Sequence, residues 1–367
     1  MAFESGSVSY RMFYVTRAMP QDAVARFAEQ AAPPIATLSD GEIHGWVSGR
    51  HLLDRVITEK NAYYAGFLRL TLMKAERKIP EPLLRAECRM EELAQQEASG
   101  KAFLTRSEKK DIKDAIVSRL LPTMPPQLKG IPFVYDDRDG VIYAAALNEK
   151  QMDAFTIYFS QTLGFNLIPV LPETAAMKRL RVNVKEWSPT SFSPELEDSD
   201  AGQDPGEDFL TWLWFYSEER GGVATLGDLG EFAVMIDGPL HFILEGGGAH
   251  EAVLRRGEPR LSAEAKTSLL GGKKLKQAKL TLAQGDAQWS CTFTAAEFVV
   301  RGLKLPPLEK MDAVTAFQER MNQIGRFSEA LLRLFDRFVE ERNSVKQWKS
   351  TVADMHAWVT SRTGVRA

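Results

Sequence analysis

Toward its C-terminal end the chain places an apolar residue at every seventh position: Phe317, Ile324, Leu331, Phe338, Val345, Val352 and Val359. Phe327, Leu334, Trp348 and Met355 follow four of these at a distance of three residues, which completes a heptad seam. Such a stripe has to be buried, against the rest of the chain or against a second copy. Asn343-Ser344 can divide it into a hairpin, with Ser344 and Gln347 capping the second arm. Residues 308–367 therefore read as a helical C-terminal region.

The remainder reads as mixed strand and helix. In "GSVSYRMFYVT" Val8, Tyr10, Met12 and Tyr14 alternate on one face, a period of two that marks a strand. Residues 21–32 pattern as a helix, and "EIHGWVS" and "AYYAGFLRLTLMKAERKIP" return to strand, closing an N-terminal α+β region over 1–82. Residues 83–122 are helical and charge-dense, a hairpin broken at Ser99-Gly100. In its second arm Thr105 and Glu108 make a capping box, and Ile112, Ile116 and Leu120 form the stripe.

The central region 123–187 holds a β-hairpin about Asp139-Gly140, a helix capped by Asn148 and ended by Gly164, and the strand "FNLIPVLP". "KRLRVNVKEW" (178–187) is expected to be another strand. Residues 188–208 carry seven acids, three prolines and no base, the composition of an acidic loop. The chain's net charge is −3, so the remainder carries +4. The second α+β region, 209–307, should contain a hairpin about Asp237-Gly238 and a helix from Ser262 to Gly271-Gly272. The fold class that follows is α+β: antiparallel sheets with helices packed on one face, a protruding helical hairpin and a helical C-terminus.

Apolar residues make up 44% and charged residues 26% of the 367, the balance of a globular chain. No apolar run reaches the ~18 residues of a membrane span, and no secretory signal opens the chain. Cys88 and Cys291 stand alone, which fits a reducing cytosol. Catalytic patterns are missing. There is no P-loop; Gly246-Gly247-Gly248 lacks dinucleotide spacing; "HEAVL" has no second histidine. Asp136, Asp137 and Asp139 could be imagined as calcium ligands, but the twelfth position of such a loop is Leu147, and a hairpin turn accounts for them better. No cofactor and no metal is expected.

Two basic segments stand out. On the helical hairpin Lys109, Lys110 and Lys113 lie off the apolar stripe, among many acids, so a solvated helix face is the plainer reading. Residues 255–279 hold eight bases against two acids. Arg255 and Arg256 leave a strand, and Lys273, Lys274, Lys276 and Lys279 enter one. Lysines there can guard a strand edge against pairing, or they can lie along a phosphate backbone and displace its counterions without reading bases.

"GWVSGR", "KAERKIPEPLLRAE", "LTRSEKKDIKDAIVSRLLP", "FVYDDRDGVIYAAAL" and "LGFNLIPVLP" resemble, in content and order, the recombination-associated RdgC family, best over residues 45–172. "RLSAEAKTSLLGGKKLKQAKLTL" and "CTFTAAEFVVRGLKLP" are similar more weakly. The resemblance implies a nucleoid-associated, cytoplasmic, non-enzymatic protein. It implies a ring-shaped homodimer around double-stranded DNA that binds without sequence preference and limits access of the RecA recombinase. Charge then assigns Lys109, Lys110, Lys113, Arg255, Arg256, Lys273, Lys274, Lys276 and Lys279 to the DNA-facing surface. The acidic tract and the helix after Asn343 have no good counterpart in that family. Two rivals stand beside this reading: an interaction scaffold that holds a partner on the C-terminal heptads, and a metal-dependent nuclease with dispersed acids.

Overall fold

The N-terminal period-two run folds as β1 (Val8–Val15), and this strand joins the two halves of the molecule. The structure is a computed structural model, and it describes residues 3–38, 41–188, 190–193, 204–244, 251–258, 260 and 262–361. The first half continues through α1 (Ala23–Glu29), β2 (Glu42–Ser48), α2 (Glu59–Ala62), β3 (Tyr63–Tyr64), β4 (Phe67–Arg77), α3 (Glu81–Ser99) and α4 (Arg106–Leu120). It then runs through β5 (Pro126–Asp136), β6 (Val141–Ala144), α5 (Glu149–Leu163), β7 (Leu167–Pro169) and α6 (Pro172–Leu180). The second half comprises α7 (Pro205–Glu219), β8 (Val223–Thr225), β9 (Glu231–Ile243), β10 (Glu251–Leu254) and α8 (Ala263–Leu270). It ends with β11 (Lys274–Gln284), β12 (Ala287–Thr294), β13 (Val299–Lys304), α9 (Ala313–Asn343) and α10 (Val345–Thr360).

Among the described residues the strands make one 13-stranded sheet: ten follow the order β10-β9-β11-β12-β13-β1-β6-β5-β4-β2, and β3, β7 and β8 pair β4, β1 and β9 off this path. The described ladders between strands are all antiparallel. β1 reaches β13 through Val8 and Tyr10 and β6 through Arg11–Tyr14. Its alternation separates two cores. Val8, Tyr10, Met12 and Tyr14 join the larger core, under α6, α7 and α9, while Phe13 turns the other way to meet Phe155 of α5. There Phe27, Trp46, Phe133, Phe155 and Phe159 interlock edge to face.

The heptad seam is buried within the chain. Helix α9 is 31 residues long, about 46 Å, and its seam side lies in the larger core with residues from both halves of the sheet. Phe317, Ile324, Leu331, Phe338 and Val359 are at most 3% exposed, whereas Val345, the first residue of α10, is 86% exposed. The break falls at Ser344, as the pattern suggests, but the Ser344 side chain makes no capping bond. The stripe on which a scaffold reading leaned is therefore occupied by the chain's own core.

Several local readings change. Residues 178–187 are the end of α6 and a 3-10 turn at Val184–Glu186, not a strand; Arg181 ends α6 in the left-handed region at φ 61°. Asp237-Gly238 is no hairpin turn. It sits inside β9, because β11 pairs with both sides of it, Lys274–Gln277 with Ile243–His241 and Lys279–Ala283 with Asp237–Ala233. The acidic segment ends earlier than expected, since Asp204 caps α7 and Glu207 and Asp208 lie in its first turn. Residues 194–203, the glycine run 246–248 and His250 lie outside the described residues. No helix among the described residues is long and apolar enough to cross a membrane.

Candidate nucleic-acid interface

The helical hairpin projects because its two helices pack chiefly on each other. Leu104, Ile112 and Ile116 are buried with Leu84, Cys88 and Leu120 beside them, and α3 has no fully buried residue. The capping box is formed: the Glu108 carboxylate accepts from the Thr105 N–H at 2.7 Å, and the Thr105 hydroxyl accepts from the Glu108 N–H at 3.2 Å. Glu108 also pairs with Lys101, and these bonds hold its carboxyl down at about 2.

The three candidate lysines of α4 differ. Lys109 flanks the stripe and leans to within 3.9 Å of Glu92 on α3. Lys110 and Lys113 are exposed and have no ion pair among the described residues. Arg85, Arg89 and Arg119 on the same arm are paired with Glu81, Glu92 and Glu87. The free cationic face of the hairpin thus reduces to Lys110 and Lys113, with Arg106 exposed one turn before them.

The second cluster is divided by its own strand. β11 lies between β9 and β12, so its lysines guard no edge. Lys274 turns inward: it is 8% exposed, donates to the Thr190 carbonyl and sits 2.8 Å from the Asp208 carboxylate. Its assignment to a DNA-facing surface is corrected on that ground, since a charge anchoring α7 to the sheet cannot also meet a ligand. Lys273 and Lys276 are partly exposed. Lys279 points to the opposite face from Leu280 and lies 3.5 Å from Asp237. Arg255 and Arg256 are exposed just after β10, the edge strand.

Lys279 opens onto a surface that segment-by-segment reading missed. Along β9, Phe232, Val234, Ile236, Leu240 and Phe242 are buried, while Glu231, Ala233, Met235 and Pro239 between them are exposed. The core covers one face of this half of the sheet; on the other, Met235 and Lys304 are exposed, Lys279, Ser290, Thr292 and Arg301 are partly exposed and Thr281 is buried. The pairing registers set Asp237, Lys279, Thr292 and Arg301 in one row across β9, β11, β12 and β13. The neighbouring row is Met235, Thr281, Ser290 and Lys304. Cross-strand partners share a face, so Lys279, Arg301 and Lys304 meet one acid, Asp237, over these two rows. Arg301 is steadied by donating to the Leu147 carbonyl at 2.7 Å.

The sheet does not bring the two clusters into contact. β11 and β5, the strand that follows the hairpin, are five places apart in the strand order. At the usual strand spacing that is about 24 Å. Among the turn acids Asp136 is paired with Arg138 at 2.6 Å and Asp137 accepts from the Tyr135 hydroxyl at 2.8 Å. Among the described residues no group of three or more His, Cys, Asp and Glu side chains is arranged to hold a metal.

Residues 8–188 match the family model described as "RdgC: Putative exonuclease, RdgC". No curated protein matches the chain.

Proposed function

The chain belongs to the RdgC family through residues 8–188, and from that premise we propose that it binds double-stranded DNA through the phosphate backbone, without reading sequence. The observation that carries this reading is the uncovered sheet face on which Lys279, Arg301 and Lys304 stand in adjacent rows. Over these two rows three cations face one acid, which suits an array of phosphates, and the sheet offers no helix to a groove. Lys110 and Lys113 on the projecting hairpin supply a second point of contact at a distance. Arg255 and Arg256 extend the first along the sheet edge.

The protein acts in this reading as a homodimer that encloses the duplex, in the cytoplasm on the nucleoid, and limits recombinase access. The dimer is supported by the arm itself. Phe103 at the hairpin's tip is 85% exposed, and Met90 and Leu93 on α3 are 59% and 44% exposed. Apolar side chains on a projecting arm call for a covering surface, and a second copy supplies one. Replacing Phe103 by Asp should convert a dimeric mass in solution to a monomeric one; an unchanged dimer would move the contact elsewhere.

The family description contains the word exonuclease, and the present reading is of binding without cleavage. The experiment is a duplex titration with wild type and with Lys279→Glu/Lys304→Glu, run alongside incubation of end-labelled duplex with magnesium. The expected result is salt-sensitive binding, weakened alike on unrelated sequences by the double reversal, with the label intact. Magnesium-dependent loss of label, abolished by a single Asp or Glu substitution, would establish the nuclease reading instead.

A further inference from the structure

A second concave surface lies on the helical side of the molecule, apart from the lysine-bearing faces. It is a cleft of about 670 Å³ between the 3-10 turn at Val184–Glu186 and the α9–α10 break. Its lining includes Arg181, Asn183, Trp187, Arg342, Trp348 and Lys349. The Arg342 guanidinium stacks on two indoles, 5.3 Å from the Trp187 centroid and 4.5 Å from that of Trp348. Both indoles are braced edge-on against Phe338, at 5.9 and 5.8 Å. Three buried or half-buried rings therefore fix the plane of one cation.

That cation is poorly compensated. Arg342 donates from one terminal nitrogen to the Ser188 carbonyl, but its Nε is buried without a partner, and no carboxylate lies within ion-pairing distance among the described residues. The acid in the lining, Glu186, accepts from Asn183 at 2.8 Å. Asp208, which also acts on Arg342 through space, is bound to Lys274. Holding a guanidinium partly out of water with no direct ion pair is costly. Two more cations of the lining, Arg181 and Lys349, are exposed and form no ion pair among the described residues, and the same holds for Lys185 and Lys346, which adjoin lining residues in the chain. Lys346 and Lys349 fall in the opening turns of α10, where the helix dipole disfavours positive charge, so they are not placed there for the helix.

We propose that this cleft binds a phosphate group, taken at its floor by Arg342 and at its lip by Arg181 and Lys349. With Nε buried and one terminal nitrogen given to the Ser188 carbonyl, the other terminal nitrogen of Arg342 is the donor left for a phosphate oxygen, and the two indoles fix its direction. Arg342 occupies one face of each indole, and the phosphate is the part recognised. Its source is either a small phosphate compound or the terminal phosphate of a nucleic-acid strand. The proposal is separate from the sheet-face reading and does not depend on it.

The test uses the full chain and the indole N–H resonances of Trp187 and Trp348, assigned by Trp→Phe variants. Inorganic phosphate is titrated against sodium chloride of equal ionic strength. Phosphate is expected to shift both resonances saturably, and chloride to leave them in place. Arg342→Lys keeps the charge and loses the planar guanidinium that the indoles hold, and should weaken the phosphate response about tenfold. The exposed pair Arg181→Ala/Lys349→Ala, which cannot disturb the core, should weaken it by a similar factor. A short 5′-phosphorylated oligonucleotide that outcompetes its 5′-hydroxyl twin assigns the group to a strand end; equal behaviour of the two assigns it to a small phosphate compound. No saturable shift with phosphate, the same shift with chloride, or an undiminished response in the Arg181/Lys349 variant would overturn the proposal.

Discussion

The two lysine-rich segments, on α4 and at the start of β11, look alike in composition and come to opposite ends. On α4 the helical period keeps Ile112 and Ile116 on one side and leaves Lys110 and Lys113 in water. On β11 an interior strand sends neighbouring lysines to different surroundings: Lys274 into the protein to Asp208, Lys279 onto the open face beside Asp237. Local charge density therefore says little about where a charge ends up. The element's period and its place in the sheet decide it.

Breaking this contrast should have its largest effect at Lys274. Replacing it by Met leaves the Asp208 carboxylate in a site where both side chains are about a tenth exposed. We expect a loss of about 3 kcal/mol in denaturant unfolding. Lys279→Ala on the same strand should stay within about 0.5 kcal/mol, and equal losses would erase the distinction. Next in size is Lys110→Glu/Lys113→Glu. It should leave stability alone, weaken duplex binding about tenfold and reduce the log–log salt slope by about 2. A stability loss without a change in slope would make these lysines structural.

A smaller effect belongs to the cap that sets the register of α4. Thr105→Ala should cost the hairpin about 1 kcal/mol, read as faster amide exchange in 105–110 with the sheet unaffected. The smallest effect is acid dependence at the same turn. The Glu108 carboxyl is held near 2 in the folded chain against an ordinary 4.5. Its contribution is complete above pH 4.5 and is lost as pH falls toward 2. The protection of the hairpin's amides, taken relative to their intrinsic exchange rates at each pH, should fall over that window, and Glu108→Gln should remove the dependence. Protection that stays constant with pH in wild type would deny the bond its role.

The local signals in the sequence were those that act within one element. The Thr105–Glu108 box, the αL glycines at Gly100 and Gly164, the period-two face of β1 and the heptad seam all depend on neighbours a few residues away. What could not be read depends on partners far along the chain. Asp237-Gly238 has the composition of a turn, yet two-sided pairing with β11 holds it straight. The inward turn of Lys274 depends on Asp208, 66 residues away. The rows that join Lys279 to Arg301 and Lys304 exist only once β12 has set their register, so Arg301 and Lys304 gave no signal as isolated bases. The Trp187–Arg342–Trp348 stack likewise unites residues that no spacing connects.

The most direct measurement is the affinity for one plain duplex at two salt concentrations, repeated on a duplex of unrelated sequence. The account predicts binding at low salt that weakens steeply and by the same factor on both duplexes as salt rises. Absence of binding at low salt, or an affinity that differs between the duplexes and ignores salt, would contradict it.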